Sequence, residues 1–267
     1  MSASVVELSQ LAVHAARRCV LQVEQLQIPV GQITAIMGRN GAGKTTLLRS
    51  CLGFVKPAQG GIRVLDCDVP RLAAAALAQL RRRIGYVPQL LPARSELPLT
   101  VREVVAIGRT GRAGLFHAFT KADWQAVDEW IQRLGLEALG NRAFSEISGG
   151  EQRKTIIARA MAQQPELLIL DEPTANLDLG WRERMVETIQ RLHADTAIPI
   201  LLVCHELEVL PPACRNVVLL DNGRVLATGT PEEVFTAERV AELYGVGLRV
   251  THEHGRHAVL PRGGPHV

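Results

Sequence analysis

The sequence predicts an α/β fold with a mostly parallel sheet, and three observations support this class. Apolar runs of strand length alternate with helical periodicity, as at 33–37 before 45–52, and runs of the same kind recur at 167–170 and 200–204. A glycine-rich loop joins the first strand to the first helix, and a later apolar strand ends on two carboxylates. The chain has 267 residues, 47% hydrophobic and 21% charged, which is enough for a sizeable core and excludes disordered and collagen-like classes.

The loop after the first strand matches a phosphate-binding pattern. Its sequence, GRNGAGKT, fits G-x-x-x-x-G-K-[ST] between an apolar strand and a helix. The glycines let backbone N–H groups turn towards phosphate oxygens, and the helix N-terminus adds partial positive charge. We expect Lys44 to bind the β- and γ-phosphates and Thr45 to offer its hydroxyl to Mg²⁺. The predicted nucleotide-binding residues of the loop are Gly38, Arg39, Asn40, Gly41, Ala42, Gly43, Lys44, Thr45 and Thr46.

Residues 89–147 contain no strand-like run and are predicted to be a helical insertion. Two pairs with the spacing of a capping box mark where its helices begin. They are Thr100 with Glu103 and Thr120 with Asp123. After the second pair, apolar residues recur on one helical face until Gly135, so this helix is expected to bury one stripe.

The apolar run 167–170 is followed by Asp171 and Glu172. A buried parallel strand that stops on two carboxylates places them at the edge of the sheet where open α/β sheets bind ligands. Asp171 suits the surroundings of Mg²⁺, and Glu172 is suited to polarising an attacking water.

The last quarter of the chain carries turn and capping signals. Asn222-Gly223 lies between two apolar segments and predicts a β-hairpin. The segment 230–233, Thr-Pro-Glu-Glu, predicts the start of a helix. Residues 251–267 are expected to form a loose strand or to be partly disordered, and they contain His252, His254 and His257, which either sense a metal or are simply solvated.

The net charge, the cysteines and the hydropathy restrict the classes of partner and the cellular compartment that we expect. A net charge of +3 gives no reason to expect a nucleic acid as the main partner. Five widely spaced cysteines fit neither a disulfide framework nor a zinc site. No apolar run is long enough to span a membrane, and the N-terminus lacks the pattern of a secretory signal, so a cytosolic chain with reduced thiols is expected.

Four further segments make the interpretation specific. They lie at 85–89 (GYVPQ), 145–152 (SEISGGEQ), 171–178 (DEPTANLD) and 203–206 (VCHE). Together with the phosphate loop they resemble the ATP-binding cassette (ABC) family over nearly the whole chain. A single nucleotide-binding domain that must pair with a second cassette is therefore expected.

The resemblance also implies the architecture. It predicts a P-loop NTPase (RecA-like) core with an N-terminal antiparallel β subdomain and an inserted α-helical subdomain. Within residues 1–267 the core and β subdomain would occupy about 1–88 and 148–245, the helical subdomain about 89–147, and a C-terminal tail about 246–267.

The same resemblance implies a role for each matched position. Glu172 would activate the attacking water, His205 would hold the γ-phosphate, and Gln89 would sense the γ-phosphate and the metal. Thr45, Gln89 and Asp171 would surround Mg²⁺, and the implied cofactors are ATP and Mg²⁺.

The signature segment would act across a dimer. Ser148, Gly149 and Gly150 would contact ATP held by the phosphate loop of a second copy. Asp178, the aspartate of the loop that follows the acidic pair, is likewise expected among the ATP-binding residues. The family usually carries glutamine where this chain has Glu151. Because Ser148 and Glu151 have the spacing of a capping box, we predict that Glu151 turns back and caps the helix instead of facing a phosphate.

The adenine-stacking aromatic of the family would fall near His14 in this chain. An imidazole can stack on a base, although it offers less area than tyrosine. The alternative is that His14 is a surface residue of an N-terminal strand.

Two segments of the insertion, 99–109 and 114–123, and the ending, 244–246 with 251–260, resemble the importer branch for metals and metal chelates: iron-siderophore, haem, cobalamin, zinc and manganese systems. This branch implies a peripheral ATPase on the cytoplasmic face of the membrane, bound to separate permease subunits and, through them, served by a substrate-binding protein. The alternatives are the motor subunit of an exporter and a soluble cassette ATPase in assembly or repair.

The expected permease contact lies within 104–119. Three apolar residues there, Leu115, Phe116 and Phe119, are more than a plain surface loop needs. Either they face the permease, or they cover the insertion's own small core.

Overall fold

The computed structural model describes residues 3–15, 18–89, 99–114, 117–245 and 247–261. It divides into two compact units, residues 1–72 with 189–267 and residues 73–188. Among the described residues, no helix is both long and apolar enough to cross a membrane. The predicted Leu115 and Phe116 lie outside the described residues.

Twelve strands and eight α-helices occur in the described part of the chain. The strands are β1 (Ser4–Ala15), β2 (Arg18–Pro29), β3 (Ile33–Gly38), β4 (Gln59–Val64), β5 (Cys67–Asp68), β6 (Ile84–Val87), β7 (Leu167–Asp171), β8 (Ile200–Val203), β9 (Cys214–Asp221), β10 (Arg224–Gly229), β11 (Leu248–Glu253) and β12 (Arg256–Pro261). The helices are α1 (Lys44–Cys51), α2 (Ala74–Arg82), α3 (Val101–Ala113), α4 (Lys121–Arg133), α5 (Gly149–Ala162), α6 (Leu179–Thr196), α7 (Pro231–Val234) and α8 (Ala237–Tyr244). Short 3₁₀ turns cover Val69–Arg71, Glu137–Leu139 and Phe144–Glu146.

The first unit is organised around a mixed sheet in the order β5-β4-β1-β2-β10-β9-β3-β8. The N-terminal strands β1, β2 and β4 pair antiparallel, as the predicted β subdomain requires. Strand β3 lies between β8 and β9 and is parallel to both, and every one of its residues is buried. Residues of both faces of the strand are buried, which explains its uninterrupted apolar sequence. The α/β class is therefore confirmed, with parallel pairing concentrated around β3.

The C-terminal part of the first unit contains two β-hairpins, β9–β10 and β11–β12. Asn222 and Gly223 have φ angles of 46° and 76°, so the predicted turn between β9 and β10 is confirmed. His254 and Gly255 have φ angles of 50° and 74° and join β11 to β12 in the same way. The expectation of a strand in this segment is thus confirmed, but within residues 251–261 it is neither loose nor disordered, because a left-handed His-Gly turn lets the two strands pair. Residues 262–267 lie outside the described part of the chain.

The second unit contains the parallel pair β6–β7 and the helices α3, α4 and α5. The capping boxes predicted at Thr100 and Thr120 are both present. The expected stripe of α4 is buried at Val127 and Ile131. The stripe begins at the half-buried Trp124, whose ring lies 4.3 Å from the guanidinium carbon of Arg102.

Candidate functional site

The phosphate loop takes the backbone conformation that its glycines permit. Gly38, Gly41 and Gly43 have φ angles of 144°, 84° and 100°. A Cβ atom on Gly38 would overlap the carbonyl oxygen of Leu220, whereas one on Gly41 would meet nothing within 4 Å. Gly38 is therefore needed for close packing, and Gly41 leaves an open concavity that a ligand can enter.

The side chain of Lys44 lies inside this loop. It is only 6% exposed, and its Nζ donates to the carbonyl oxygens of Gly38, at 2.8 Å, and Arg39, at 3.1 Å. The ammonium is thus held within the loop by backbone acceptors. Thr45 is exposed on the first turn of α1, and Thr46 is half-buried.

A cavity of about 550 Å³ opens over the loop, lined by Gly38, Arg39, Asn40, Gly41, Ala42, His205, Asp221 and Asn222. The strand register explains why His205 is there. Ile36 of β3 is level with Val203 of β8, so the positions two residues further on, Gly38 and His205, leave the sheet together. The structure therefore brings the predicted His205 to the phosphate loop.

Asp221 and Asn222 were not predicted as site residues. Gly38 is level with Leu220 of β9, and the N–H of Gly223 donates to the carbonyl oxygen of Ala42 at 3.1 Å, which attaches the hairpin turn to the loop. The Asn-Gly signal was visible in the sequence, but only the sheet order puts that turn beside the phosphate loop.

His14 has a different position. It is exposed near the end of β1, opposite Cys19 and beside an irregularity in the β1–β2 register, and it does not line the cavity. Its stacking on adenine stays a prediction.

The acidic pair lies in the second unit. Asp171 is the last residue of β7 and 4% exposed, and the hydroxyl of Tyr86 donates to its Oδ2 at 3.3 Å. Glu172 has a φ of 47°, which turns the chain sharply at the end of the strand. The amide Nε2 of Gln89 donates to Oε2 of Glu172 at 2.6 Å.

Strand register again explains this contact. Val87 of β6 is level with Leu170 of β7, so Gln89 and Glu172, each two residues later, emerge side by side. The structure therefore brings together Gln89, Glu172 and Asp171, three residues that the sequence analysis named.

Arg153 holds the segment that carries Gln89. Its guanidinium donates to the carbonyl oxygens of Pro88, at 2.8 Å, and Gln89, at 3.0 Å. The side chain is 3% exposed, and burial lowers its pKa while the nearby Asp171 carboxylate raises it. The sequence analysis missed this residue, although an arginine on the apolar side of α5 is an uncommon choice that only a buried partner explains.

The signature segment begins α5 as predicted. Ser148 is the N-cap, and its N–H and Oγ–H donate to Oε2 of Glu151 at 2.8 Å and 2.7 Å. The hydroxyl and the backbone N–H of Ser148 lower the pKa of Glu151. The prediction that Glu151 caps the helix is confirmed. Ser148 and Gly149 are exposed, while Gly150 is buried.

Gly150 and Asp178 are connected through Trp181. A Cβ atom on Gly150 would overlap the Trp181 ring, so this position has no space for a side chain. Oδ1 of Asp178 accepts from the N–H of Trp181 at 2.9 Å, in the first turn of α6. Asp178 itself is exposed.

Phe119 packs edge-to-face on Trp124, with ring centroids 5.5 Å apart. This contact within the insertion favours the alternative that Phe119 covers the insertion's own core. Its contact with a permease stays a prediction.

Comparison with known proteins shows which family the chain resembles. The sequence profile of a family described as "ABC transporter" matches residues 21–175. The zinc import ATP-binding protein ZnuC of Pseudomonas entomophila is 34% identical over 262 residues, 97% of this chain and 91% of the relative. The ferric enterobactin transport ATP-binding protein FepC of Escherichia coli is 32% identical over 259 residues, 95% of this chain and 93% of the relative. The manganese transport system ATP-binding protein MntB of Bacillus subtilis is 34% identical over 240 residues, which are 90% of this chain and 92% of the relative.

Two solved structures of ABC cassettes are also similar to this chain. CbiO1 of Clostridium perfringens, part of the ABC transporter complex cbiONQ, superposes with a TM-score of 0.77 at 27% identity, covering 90% of this chain and 93% of that chain. The ATP-binding cassette MJ0796, in a dimeric post-hydrolysis state with ADP and Pi, superposes with a TM-score of 0.72 at 25% identity. The match covers 84% of this chain and 98% of that chain.

Proposed function

The chain belongs to the ABC transporter family, and from this premise we propose that it binds and hydrolyses ATP to energise import of a metal ion or metal chelate through a separate membrane permease. The observation that carries the proposal is its similarity, over nearly its whole length, to ATP-binding subunits of zinc, ferric enterobactin and manganese transport systems. These relatives favour import over the exporter and assembly alternatives. The chain would act at the cytoplasmic face of the membrane.

The phosphate loop fits ATP. The open space at Gly41, the buried Lys44 ammonium and the cavity over the loop together suit a polyphosphate. We assign Gly38, Arg39, Asn40, Gly41, Ala42, Gly43, Lys44, Thr45 and Thr46 to its phosphates. Asp221 and Asn222 join them as walls of the cavity.

Three oxygen-bearing side chains are proposed for Mg²⁺, namely Thr45, Gln89 and Asp171. Hydroxyl, amide and carboxylate oxygens are the ligands that Mg²⁺ takes, usually alongside water and phosphate. When bound, the ion would offset the negative charge of the phosphates.

Hydrolysis is assigned to Glu172, with Gln89 and His205 as its companions. The Glu172 carboxylate accepts a hydrogen bond from Gln89 and is thereby oriented; we propose that it takes a proton from the attacking water. His205, in the wall of the phosphate cavity, would donate to the γ-phosphate and stabilise its developing charge. His14 is proposed to stack on the adenine.

A second copy completes the site in this proposal. Ser148 and Gly149 are exposed at the positive end of α5, where backbone N–H groups can meet a phosphate bound to the partner cassette. Gly150 keeps α5 close to Trp181, and Asp178 orders the segment that follows. The further partners would be permease subunits, contacted by the helical insertion of about residues 89–147, and through them a substrate-binding protein.

The decisive variant is Glu172→Gln, which keeps the size of the side chain and removes its basicity. We expect turnover to fall by about 10²-fold or more, because general base catalysis contributes about 10²–10⁴. ATP affinity should stay within about twofold, since the change does not touch the phosphate loop.

Glu166→Gln is the matched control. Glu166 lies just before the same strand and pairs with Arg83 at 2.7 Å, so the control also removes one carboxylate. Its turnover should equal that of the parent. Near-normal hydrolysis by Glu172→Gln would refute the catalytic assignment.

Transport is tested separately by purifying the tagged protein from its native membranes in mild detergent. Co-elution of a multi-spanning permease is expected. Recovery of soluble partners alone, with ATPase activity intact, would contradict the import proposal and favour assembly or repair.

A further inference from the structure

The hairpin β11–β12 brings together side chains that the nucleotide site does not use. His252 and His257 face each other as a direct cross-strand pair. His257 is 4% exposed and His252 half-buried. Glu232, at the start of α7, lies beside them, and one ligand atom from each of the three side chains falls within 4.8 Å of the others. His254, which the sequence pattern grouped with the other two histidines, is exposed in the turn and outside the cluster.

The hydrogen bonds fix which nitrogen of His252 is available. Its Nε2 lies 3.2 Å from the carbonyl oxygen of Phe235. A carbonyl only accepts, so Nε2 carries the hydrogen and the neutral ring has a bare Nδ1. A backbone carbonyl that holds the second nitrogen of a histidine is the usual outer support of a metal-binding imidazole.

That bare Nδ1 points at the other histidine. The Nδ1 atoms of His252 and His257 are 2.8 Å apart, so without a metal the Nδ1–H of His257 donates to His252. Two nitrogens bound tetrahedrally to one zinc at about 2.0–2.1 Å would be about 3.3 Å apart. The two nitrogens would therefore move apart by about half an ångström, and both rings would turn so that their lone pairs converge on the ion, with His257 taking the tautomer that carries its hydrogen on Nε2.

The supporting segments are held in place on both sides of the cluster. The backbone N–H of Val259 in β12 donates to Oε1 of Glu208 at 3.1 Å. Glu233, next to Glu232, closes a capping box with Thr230 and so fixes the turn that carries the third ligand. The three side chains are thus carried by segments that these hydrogen bonds hold, and the Glu232 carboxylate, within 4.8 Å of a nitrogen on each ring, would move closer to bind the same ion.

We propose that His252, His257 and Glu232 bind a divalent transition-metal ion, of which Zn²⁺ is the probe, and thereby join the C-terminal hairpin to α7. Two imidazoles and one carboxylate suit zinc and its neighbours better than Mg²⁺ or Ca²⁺, which take oxygen ligands. The site shares no residue with those assigned to ATP, and its existence does not depend on the proposed transport function.

The test is a titration of the full-length, tag-free protein with Zn²⁺ against a chromophoric chelator, without nucleotide and with excess Mg²⁺. We expect one ion per chain, with affinity at least tenfold weaker in His252→Ala, His257→Ala and Glu232→Gln. The matched control is His254→Ala, which removes an exposed histidine from the same hairpin and should bind like the parent. Nitrogen-15 shifts of the imidazoles should show metal on Nδ1 of His252 and His257.

Glu232→Gln changes an exposed side chain, so the test does not depend on the folding of the buried His257 variant. Absence of stoichiometric binding, equal loss in His254→Ala, or unchanged affinity in both Glu232→Gln and His252→Ala would each overturn the proposal. The pair of histidines would then be a hydrogen-bonded contact that only stabilises the hairpin.

Discussion

Replacing Gly108 by alanine tests how closely α3 and α5 pack in the second unit. Gly108 is buried, and a Cβ atom there would overlap the carbonyl oxygen of Arg159 and lie 3.5 Å from the Cβ of Ala162. Two hydrogen bonds tie α3 to the end of α5: the side chains of Arg109 and Arg112 donate to the carbonyl oxygens of Ala162 and of Gln163, the residue after α5, at 2.9 Å each. The helices cannot separate to admit a methyl group without disturbing these bonds.

The expected change in the free energy of unfolding follows from three effects, of which the last opposes the first two. Overpacking a well-packed contact costs about 1–3 kcal/mol. Weakening a hydrogen bond made by a charged group such as Arg109 adds up to about 1.5–3 kcal/mol. Alanine in a helix interior returns about 0.5–1 kcal/mol relative to glycine. We therefore expect Gly108→Ala to lower the free energy of unfolding by about 1–5 kcal/mol, the upper end applying if the Arg109 hydrogen bond is weakened.

Gly111→Ala is the control within the same helix. A Cβ atom there would lie 3.4 Å from Cγ of Arg82, a flexible side chain, so only the helical gain of about 0.5–1 kcal/mol should remain. Urea unfolding of the two variants and the parent measures the difference, provided that the denaturant slope is shared. If Gly108→Ala were as stable as the parent protein or more stable, the close approach of α3 to α5 would be refuted.

Three further outcomes are expected. Glu151→Gln should leave ATPase turnover within a few-fold of the parent, since glutamine still caps the helix; a tenfold rise in a steady-state assay would show that this carboxylate had repelled phosphate. Arg153→Met should lower turnover about tenfold without changing nucleotide affinity, because the backbone carrying Gln89 loses both of its donors; unchanged single-turnover rates would contradict this. Hydrogen bonds, chiefly from Thr120, lower the pKa of Asp123 from 3.8 to about 2. Its contribution to stability is therefore complete above about pH 4 and lost as the pH falls towards 2, and acid unfolding of Asp123→Asn should lack this component.

The parts of the molecule that local chemistry specifies were predictable from sequence. The phosphate loop, the capping boxes and the Asn-Gly hairpin each depend on residues within a few positions of one another. For the same reason the turn of Glu151 onto its own helix was correctly predicted. The C-terminal hairpin was missed because His254 stands where asparagine would have given the familiar turn signal, although Gly255 follows it.

Which distant residues meet was decided by strand order and register. The level pairs Ile36 with Val203 and Val87 with Leu170 bring His205 to the phosphate loop and Gln89 to Glu172. No local pattern encodes these offsets, because a shift of one residue would leave each strand's own sequence equally apolar while moving its terminal side chain. The sequence by itself therefore determined the family, the chemistry and the candidate groups. Only the tertiary structure assigned Arg153 to the Gln89 segment, Asn222 to the phosphate cavity and Glu232 to the two histidines, since each contact joins segments that are distant in the chain.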